Sequence, residues 1–321
     1  MKIADVSDGI LAASSRIDPE FRDTPQFKAD ALSERLGKSP LLKIETVNPI
    51  RSFKGRGASL LIDAAEPGTQ LICASVGNFG QGMAYAARAR QVPLTVFLAG
   101  NANPLKVERV KSFGAQIVQT GNDFDAAKLA AKSFAQSNGY SFIEDGAAPE
   151  VTIGAGTIGL EMLAGNHRFS TILVPVGNGA LLNGVASWIK SQDRGIRVVG
   201  VCSQGAPAMA MSWREGRSIS TPDVSTIADG IAVREPVPEA VTLMQGLADD
   251  ILLVSDAAII EAVQLCFDKL GLLVEPAGAA GLATLIEHPE SFPEDDVATI
   301  LCGGNIAPQH LKAWISGRRV S

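Results

Sequence analysis

The chain has 321 residues, of which 46% are hydrophobic and 19% are charged, and its formal net charge is −6 at pH 7. These values describe a globular chain of one or two domains with a large core. An acidic chain without a long basic run is a poor ligand for nucleic acid, because phosphate contacts need clustered Lys and Arg. No stretch approaches the roughly 18 uninterrupted apolar residues that a membrane helix needs.

The cysteines and the N-terminus indicate a cellular compartment. Four cysteines contain no Cys-x-x-Cys pair and no dense framework, so we expect free thiols in a reducing environment. The first 23 residues lack the basic start and apolar centre of a signal peptide. We therefore expect a cytoplasmic protein that acts on neither nucleic acid nor membrane.

Residues 48–58 read Asn-Pro-Ile-Arg-Ser-Phe-Lys-Gly-Arg-Gly-Ala and lie between a predicted strand (41–47) and a predicted helix (57–65). A helix is also predicted over residues 27–36. Desolvation beside Phe53, or repulsion from Arg51 and Arg56, would favour the neutral Lys54 amine that attacks a carbonyl. Alternatively, Lys54 is a surface lysine in a basic turn.

From residue 70 onward, apolar strands alternate with helices. The pattern predicts strands at 71–75, 94–99 and 116–119 and helices at 83–90, 104–113 and 124–137. A loop over 146–156 leads to a helix at 157–164, and the alternation resumes with strands at 171–176, 197–202 and 297–302 and helices at 181–191, 207–214, 257–269 and 276–286, with a loop at 218–238.

Such alternation predicts an α/β fold with two lobes, each a mostly parallel sheet flanked by helices. We expect residues 1–68 and 148–321 to form a large domain and residues 69–147 a small one.

Two glycine-rich loops each separate a predicted strand from a predicted helix, at residues 76–82 and 177–180. Exposed amides and the positive end of the helix dipole suit an anion at such a place. A dinucleotide site would also need an acid near the end of the next strand, and neither 97–101 nor 201–204 supplies one. Three isolated histidines and no phosphate-binding Gly-x-x-x-x-Gly-Lys-Ser/Thr loop give little support to a Ser-His-Asp triad, a metal cage or an ATP site.

Together these motifs resemble the fold-type II pyridoxal-phosphate enzymes, the family of threonine and serine dehydratases and serine racemase, which share the tryptophan synthase beta-like fold. The resemblance spans nearly the whole chain. It rests on the Ser-Phe-Lys-x-Arg-Gly-Ala motif at 52–58, Ser-x-Gly-Asn-x-Gly-Gln-Gly at 75–82, the loop at 177, Thr-Ile-Ala-Asp-Gly at 226–230, Glu-Pro at 275 and Cys-Gly-Gly-Asn at 302–305.

The resemblance implies a pyridoxal 5'-phosphate cofactor in the cleft between the lobes. It implies that Lys54 is catalytic, carrying the cofactor as a Schiff base and then moving the substrate's alpha proton. The implied cofactor-binding residues are Phe53, Lys54, Asn78, Gly177, Asn178, Gly179, Ala180, Leu181, Gly230, Glu275 and Cys302. The implied substrate-binding residues are Ser75, Val76, Gly77, Asn78 and Phe79.

Several positions depart from the family pattern. The phosphate loop reads Gly-Asn-Gly-Ala where dehydratases usually have four glycines, and Phe79 replaces a frequent histidine. Val76 stands where serine racemase has a proton-donating serine, which disfavours racemisation. Acidic metal ligands of metal-activated relatives are replaced, so we expect no divalent cation site; the replacing residues are Cys202, Ala206 and Ala208.

The resulting hypothesis is an ammonia-lyase that converts L-threonine, L-serine or both to a 2-oxo acid and ammonia. Cys302 at the pyridine nitrogen, in place of a carboxylate, favours elimination. The alternatives are a beta-replacement synthase of the cysteine synthase type, a serine racemase-like enzyme, a dehydratase for another beta-hydroxy amino acid such as hydroxyaspartate, and a catalytically idle amino-acid sensor. The resemblance also implies a homodimer.

Overall fold

The computed structural model describes residues 3–102, 104–293 and 296–314. In chain order, the strands are β1 (Gln26–Lys28), β2 (Leu41–Ile44), β3 (Leu71–Ala74), β4 (Leu94–Leu98), β5 (Gln116–Gln119), β6 (Ser141–Ile143), β7 (Thr171–Pro175), β8 (Arg197–Ser203), β9 (Asp250–Val254) and β10 (Val297–Leu301).

The α-helices are α1 (Ile3–Ala13), α2 (Ser33–Leu36), α3 (Lys54–Asp63), α4 (Asn78–Arg90), α5 (Pro104–Ser112), α6 (Phe124–Asn138), α7 (Pro149–Ala164), α8 (Ala180–Gln192), α9 (Ala208–Glu215), α10 (Pro238–Gln245), α11 (Asp256–Leu270), α12 (Pro276–Glu287) and α13 (Pro308–Trp314). Short 3₁₀ turns occupy Pro19–Phe21, Asp30–Leu32, Asp229–Ile231 and Pro289–Ser291. Among the described residues, no helix combines the length and the apolar character needed to cross a membrane.

Two sheets form within the described residues. One has six strands in the order β1-β2-β10-β7-β8-β9, and the other has four in the order β5-β4-β3-β6. Every pairing is parallel except that of the edge strand β1 with β2. Central strands such as β7 and β10 are buried along their whole length, as expected for parallel sheets covered on both faces.

The predicted α/β class with mostly parallel sheets is confirmed. The four-stranded sheet uses residues 71–143, and the six-stranded sheet uses residues 26–44 and 171–301. The predicted division into domains at residues 69 and 147 stays a prediction.

Three predicted elements are wrong. Residues 76–82 are not one loop, because α4 already begins at Asn78. Residues 27–36 are not one helix, because Phe27 lies in β1 and pairs with Leu42 of β2; the helical part is limited to the 3₁₀ turn Asp30–Leu32 and the four-residue helix α2. Residues 146–156 are not one loop, because α7 begins at Pro149. The small residues in this segment serve close helix packing instead: a Cβ on Gly154 would lie 2.6 Å from the Cα of Gly57 in α3. The pattern also missed α1, β6, α10, β9 and α13.

A buried ion network ties α3 to the rest of the core. The Arg56 guanidinium donates to both Glu45 oxygens at 2.9 and 3.0 Å, and to Glu161 at 2.6 and 2.9 Å. Lys43 also donates to Glu161, at 2.6 Å. Burial alone would lower the pKa of Arg56, but Glu45 and Glu161 outweigh it and raise that pKa. Arg56 therefore stays charged and is paired with carboxylates inside the core.

Replacing Arg56 by leucine should lower the free energy of unfolding by about 3–5 kcal/mol, because Glu45 and Glu161 would keep buried charges without their main partner. Urea denaturation followed by circular dichroism measures this loss. Arg16→Leu is the matched control, since Arg16 pairs with Asp63 at 2.7 Å while its side chain is 52% exposed; it should cost less than about 1 kcal/mol. Equal losses in the two variants would contradict this account.

Candidate active site

A cavity of about 680 Å³ opens where strands of both sheets end. Every residue predicted to bind cofactor or substrate lines this one cavity. The loops after β3 and β6 approach it from the four-stranded sheet, and the loops after β7 and β10 approach it from the six-stranded sheet. Ligands of open α/β sheets bind at such carboxyl ends, so the topology itself brings the distant motifs together.

Lys54 is the first residue of α3, one position inside the helix rather than before it. The preceding turn is held by Asn48, whose side chain accepts from the Ser52 amide at 3.1 Å and donates to the Ser52 carbonyl at 3.1 Å. Phe53 donates its amide to the Cys302 carbonyl at 3.1 Å. These bonds dock the lysine turn onto the end of β10.

Asp145 is the residue of this site that sequence reasoning missed. The Lys54 ammonium donates to both Asp145 carboxylate oxygens, each at 2.7 Å. The same nitrogen lies 5.0 Å from the Phe53 ring centroid and 5.9 Å from that of Phe79. The signal that could have found Asp145 is its place two positions after the strand paired with β3, but β6 has only three residues and was not predicted.

The loop before α8 has the features of a phosphate cradle. Gly179 adopts φ +90°, a conformation that favours glycine, and no side chain caps the amino end of α8. The first helical amides therefore remain available to an anion, together with the positive end of the helix dipole. The residues present fit the phosphate of pyridoxal phosphate. The Asn178 amide points elsewhere and makes a long hydrogen bond of 3.5 Å to the Asp145 carbonyl.

A hydrogen-bonded network joins three of the sequence motifs. Asn78 donates to the Glu275 carboxylate at 2.6 Å and accepts from the Asn305 side chain at 2.7 Å, while the Asn305 amide donates to Glu275 at 3.1 Å. Burial, with Asp229 nearby, raises the pKa of Glu275 to about 7, and the hydrogen bonds from Asn78 and Asn305 only partly oppose this. Glu275 therefore titrates near neutral pH.

The Cys302 thiol is buried at the end of β10 and lies 3.9 Å from the Ala277 carbonyl. Burial raises its pKa, and the nearby Glu275 raises it further, so the group is a neutral thiol near pH 7. Elsewhere, Cys202, Ala206 and Ala208 are buried. In the part of the chain that the structure describes, no three His, Cys, Asp or Glu side chains are grouped to hold a metal ion.

Comparisons with known proteins find similarity over most of the chain. The family model described as pyridoxal-phosphate dependent enzyme matches residues 17–303. The L-threonine ammonia-lyase of Geobacter sulfurreducens is 35% identical over 92% of this chain and 75% of its own length. The biosynthetic L-threonine dehydratase of Pasteurella multocida is 33% identical over 95% of this chain, which spans only 60% of that relative.

Solved structures give the same picture. The threonine deaminase of T.th. superposes with a TM-score of 0.89 at 33% identity, covering 94% of this chain and 98% of its own. Maize serine racemase superposes with a TM-score of 0.90 at 29% identity, covering 97% of both chains.

The raised pKa of Glu275 makes folding stability depend on pH. The folded protein holds this proton more tightly than the unfolded chain, whose carboxyl titrates near 4.5. Glu275 therefore favours folding at low pH, and this contribution is lost as pH rises through about 7. Between pH 4.5 and 8, the free energy of unfolding of the wild type should fall by about 3 kcal/mol relative to Glu275→Gln.

Urea denaturation at several pH values measures this difference. Glu144→Gln is the contrasting control: burial would raise the pKa of Glu144, but Lys128 and Lys132 outweigh it and lower that pKa. Its contribution to stability is present above the ordinary carboxyl pKa and is lost only as pH falls through the lowered value. The Glu144→Gln difference should therefore stay flat from pH 5 to 8. Parallel pH curves for the wild type and Glu275→Gln would refute the assignment.

Proposed function

Because the chain belongs to the family of pyridoxal-phosphate dependent enzymes, we propose that it is an ammonia-lyase that converts L-threonine, L-serine or both to a 2-oxo acid and ammonia. The observation that carries the proposal is the convergence of the Lys54 amine, the amino end of α8 and the loop after β3 on one cavity. An amine, an anion cradle and a second polar loop are the groups that this chemistry requires.

When bound, pyridoxal phosphate withdraws electrons from the substrate's alpha carbon and so makes its proton acidic. In the proposal, Lys54 carries the cofactor through its amine and afterwards takes the alpha proton. The amides at the start of α8, with Gly177 to Leu181, hold the phosphate. Ser75 to Asn78 hold the substrate carboxylate. Phe53, Asn78, Gly230, Glu275 and Cys302 surround the ring.

One feature favours elimination over racemisation, and a second one bears on which substrate is eliminated. Val76 has no proton to give, so a proton returned from the face opposite Lys54, as racemisation needs, has no donor at this position. Asp145 also lines the cavity, and its carboxylate would repel the second carboxylate of a hydroxyaspartate substrate. Threonine and serine carry no such charge.

The same proposal includes a homodimer in the cytoplasm. The dimer follows from the family resemblance. The four cysteines of the described chain are buried free thiols, which supports a reducing compartment. Light scattering after gel filtration measures the oligomeric state, and a monomer mass would exclude the dimer.

Purified protein supplied with pyridoxal phosphate should convert L-threonine to 2-oxobutanoate. The Lys54→Ala variant should have a kcat about 10²–10⁴-fold lower, because both the cofactor attachment and the base are lost. Lys111→Ala is the control, since Lys111 is 66% exposed on α5. Product formation is followed by chromatography.

Adding sulfide separates the two enzyme classes. An ammonia-lyase releases the 2-oxo acid without sulfide, whereas a beta-replacement enzyme forms a sulfur amino acid from serine only when sulfide is supplied. Undiminished 2-oxobutanoate formation by Lys54→Ala would contradict the role of Lys54.

A further inference from the structure

Two ion pairs lie at the edge of the cavity. Arg234 pairs with Asp125, and Lys106 pairs with Asp229. All four side chains line the cavity, and their exposed fractions range from 28% for Lys106 to 60% for Asp229. The side chain of Lys54, by comparison, is only 14% exposed. The two ion pairs are therefore located where the cavity meets the solvent.

The partners in each pair belong to different halves of the protein. Lys106 and Asp125 lie in the first turns of α5 and α6, whose neighbours in the chain are strands of the four-stranded sheet. Asp229 and Arg234 lie in the connecting segment 216–237, which links α9 to α10 on the side of the six-stranded sheet. The two halves cannot move apart at this edge of the cavity without breaking both ion pairs.

The connecting segment is anchored to the core before it reaches Arg234. The Thr226 hydroxyl donates to the Asp256 carboxylate at 2.6 Å, which attaches the segment to the start of α11. Further along, the Arg234 carbonyl accepts from the Thr221 amide at 3.1 Å, a contact within the segment itself. The backbone of Arg234 is thus positioned by its own segment, and its side chain reaches across the cavity to Asp125.

The Arg234 guanidinium has two acidic partners that compete for it. The same nitrogen, Nη2, donates to Asp125 across the cavity and to Glu235 at 2.9 Å within the connecting segment. Two carboxylates that share one guanidinium nitrogen repel each other, so each weakens the other's contact. When the bond to Asp125 breaks, Glu235 stays beside Arg234, because it is the next residue in the chain. The charge of Arg234 is therefore compensated in both arrangements.

Ion pairs as exposed as these are weak enough to break often. Removing one exposed pair changes an equilibrium by only about 1.5- to 5-fold. Dissolved salt also screens such pairs much more than buried ones. The edge of the cavity is therefore held by contacts that can open and close on the timescale of ligand entry.

We propose that the two ion pairs form a clasp that closes the cavity, and that Arg234 controls access to it. Arg234 binds Asp125 when the clasp is closed and keeps Glu235 as its partner when the clasp is open. Any molecule that reaches the cofactor has to pass this clasp. The inference therefore goes beyond the proposed function and does not depend on which amino acid is the substrate.

Two carbonyl reagents of different size measure access to the cofactor in the holoenzyme. Hydroxylamine and phenylhydrazine both react with the carbonyl carbon of pyridoxal phosphate, and both reactions change the absorbance of the holoenzyme. The readout is the ratio of the second-order rate constant for phenylhydrazine to that for hydroxylamine. A general change in the reactivity of the cofactor cancels in this ratio, whereas a change at the edge of the cavity affects the larger reagent more.

The Asp125→Asn variant should raise this ratio about 2- to 5-fold, because one ion pair of the clasp is lost. Glu235→Gln should lower it by up to about twofold, since Arg234 is then left to Asp125. Raising the salt concentration from about 0.05 to 0.5 M should increase the ratio more in the wild type than in Asp125→Asn. Glu108→Gln is the matched control, because Glu108 is 71% exposed and pairs with Lys111 within α5; the ratio should change by less than about 1.5-fold.

Three results would overturn the clasp. They are an unchanged ratio in Asp125→Asn, equal changes in both rate constants, and changes in the same direction in Asp125→Asn and Glu235→Gln. Amino-acid turnover separates this inference from the proposed function. Formation of 2-oxobutanoate with an unchanged ratio removes the clasp and leaves the proposed function standing, whereas the expected ratios in a protein that forms no 2-oxo acid uphold the clasp and contradict the proposed function.

Discussion

The position of Lys54 depends on a buried set of charges two residues further along its helix. Arg56 is fully buried and binds Glu45 from the segment after β2 and Glu161 from α7. Breaking such a network leaves buried charges unpaired at a cost of several kcal/mol, so α3 can neither rotate nor slide without losing it. Lys54 lies in the first turn of the same helix, so its backbone position is fixed as well. The buried charges therefore hold the proposed base in place.

The direction of the parallel strands explains why the other residues of the site lie near Lys54. In both sheets the strands that contribute to the site point the same way, so the segments that follow them reach one edge. Glycines then permit the close approaches that the topology demands: a Cβ on Gly177 would lie 2.7 Å from the Gly230 carbonyl, and one on Gly154 would touch α3. The cavity is thus a consequence of strand direction combined with small residues at the contacts.

Features that depend on consecutive residues could be predicted from the sequence, whereas features that depend on contacts between distant residues could not. The strand-helix alternation and the motifs around Lys54, Asn78 and Gly177 are written in consecutive residues, and they were read correctly as one α/β chain. Asp145 depends on the pairing of a three-residue strand with β3, and the burial of Arg56 depends on Glu161, 105 positions away. Neither local periodicity nor residue type identifies contact partners that are distant in the sequence. The helix predicted over residues 27–36 was wrong for the same reason, because the edge strand that contains Phe27 forms only by pairing with its neighbour.

The titrating groups near the proposed cofactor ring limit the chemistry of the site. Cys302 stays a neutral thiol, since its burial and the neighbouring Glu275 both disfavour a thiolate. A neutral thiol supplies no negative charge to hold a proton on a pyridine nitrogen, so in the proposed function the ring withdraws electrons only moderately. The residues around the substrate would then have to favour loss of the beta substituent over return of the alpha proton. In the proposed function, the fit of that substituent therefore becomes the feature on which substrate choice rests.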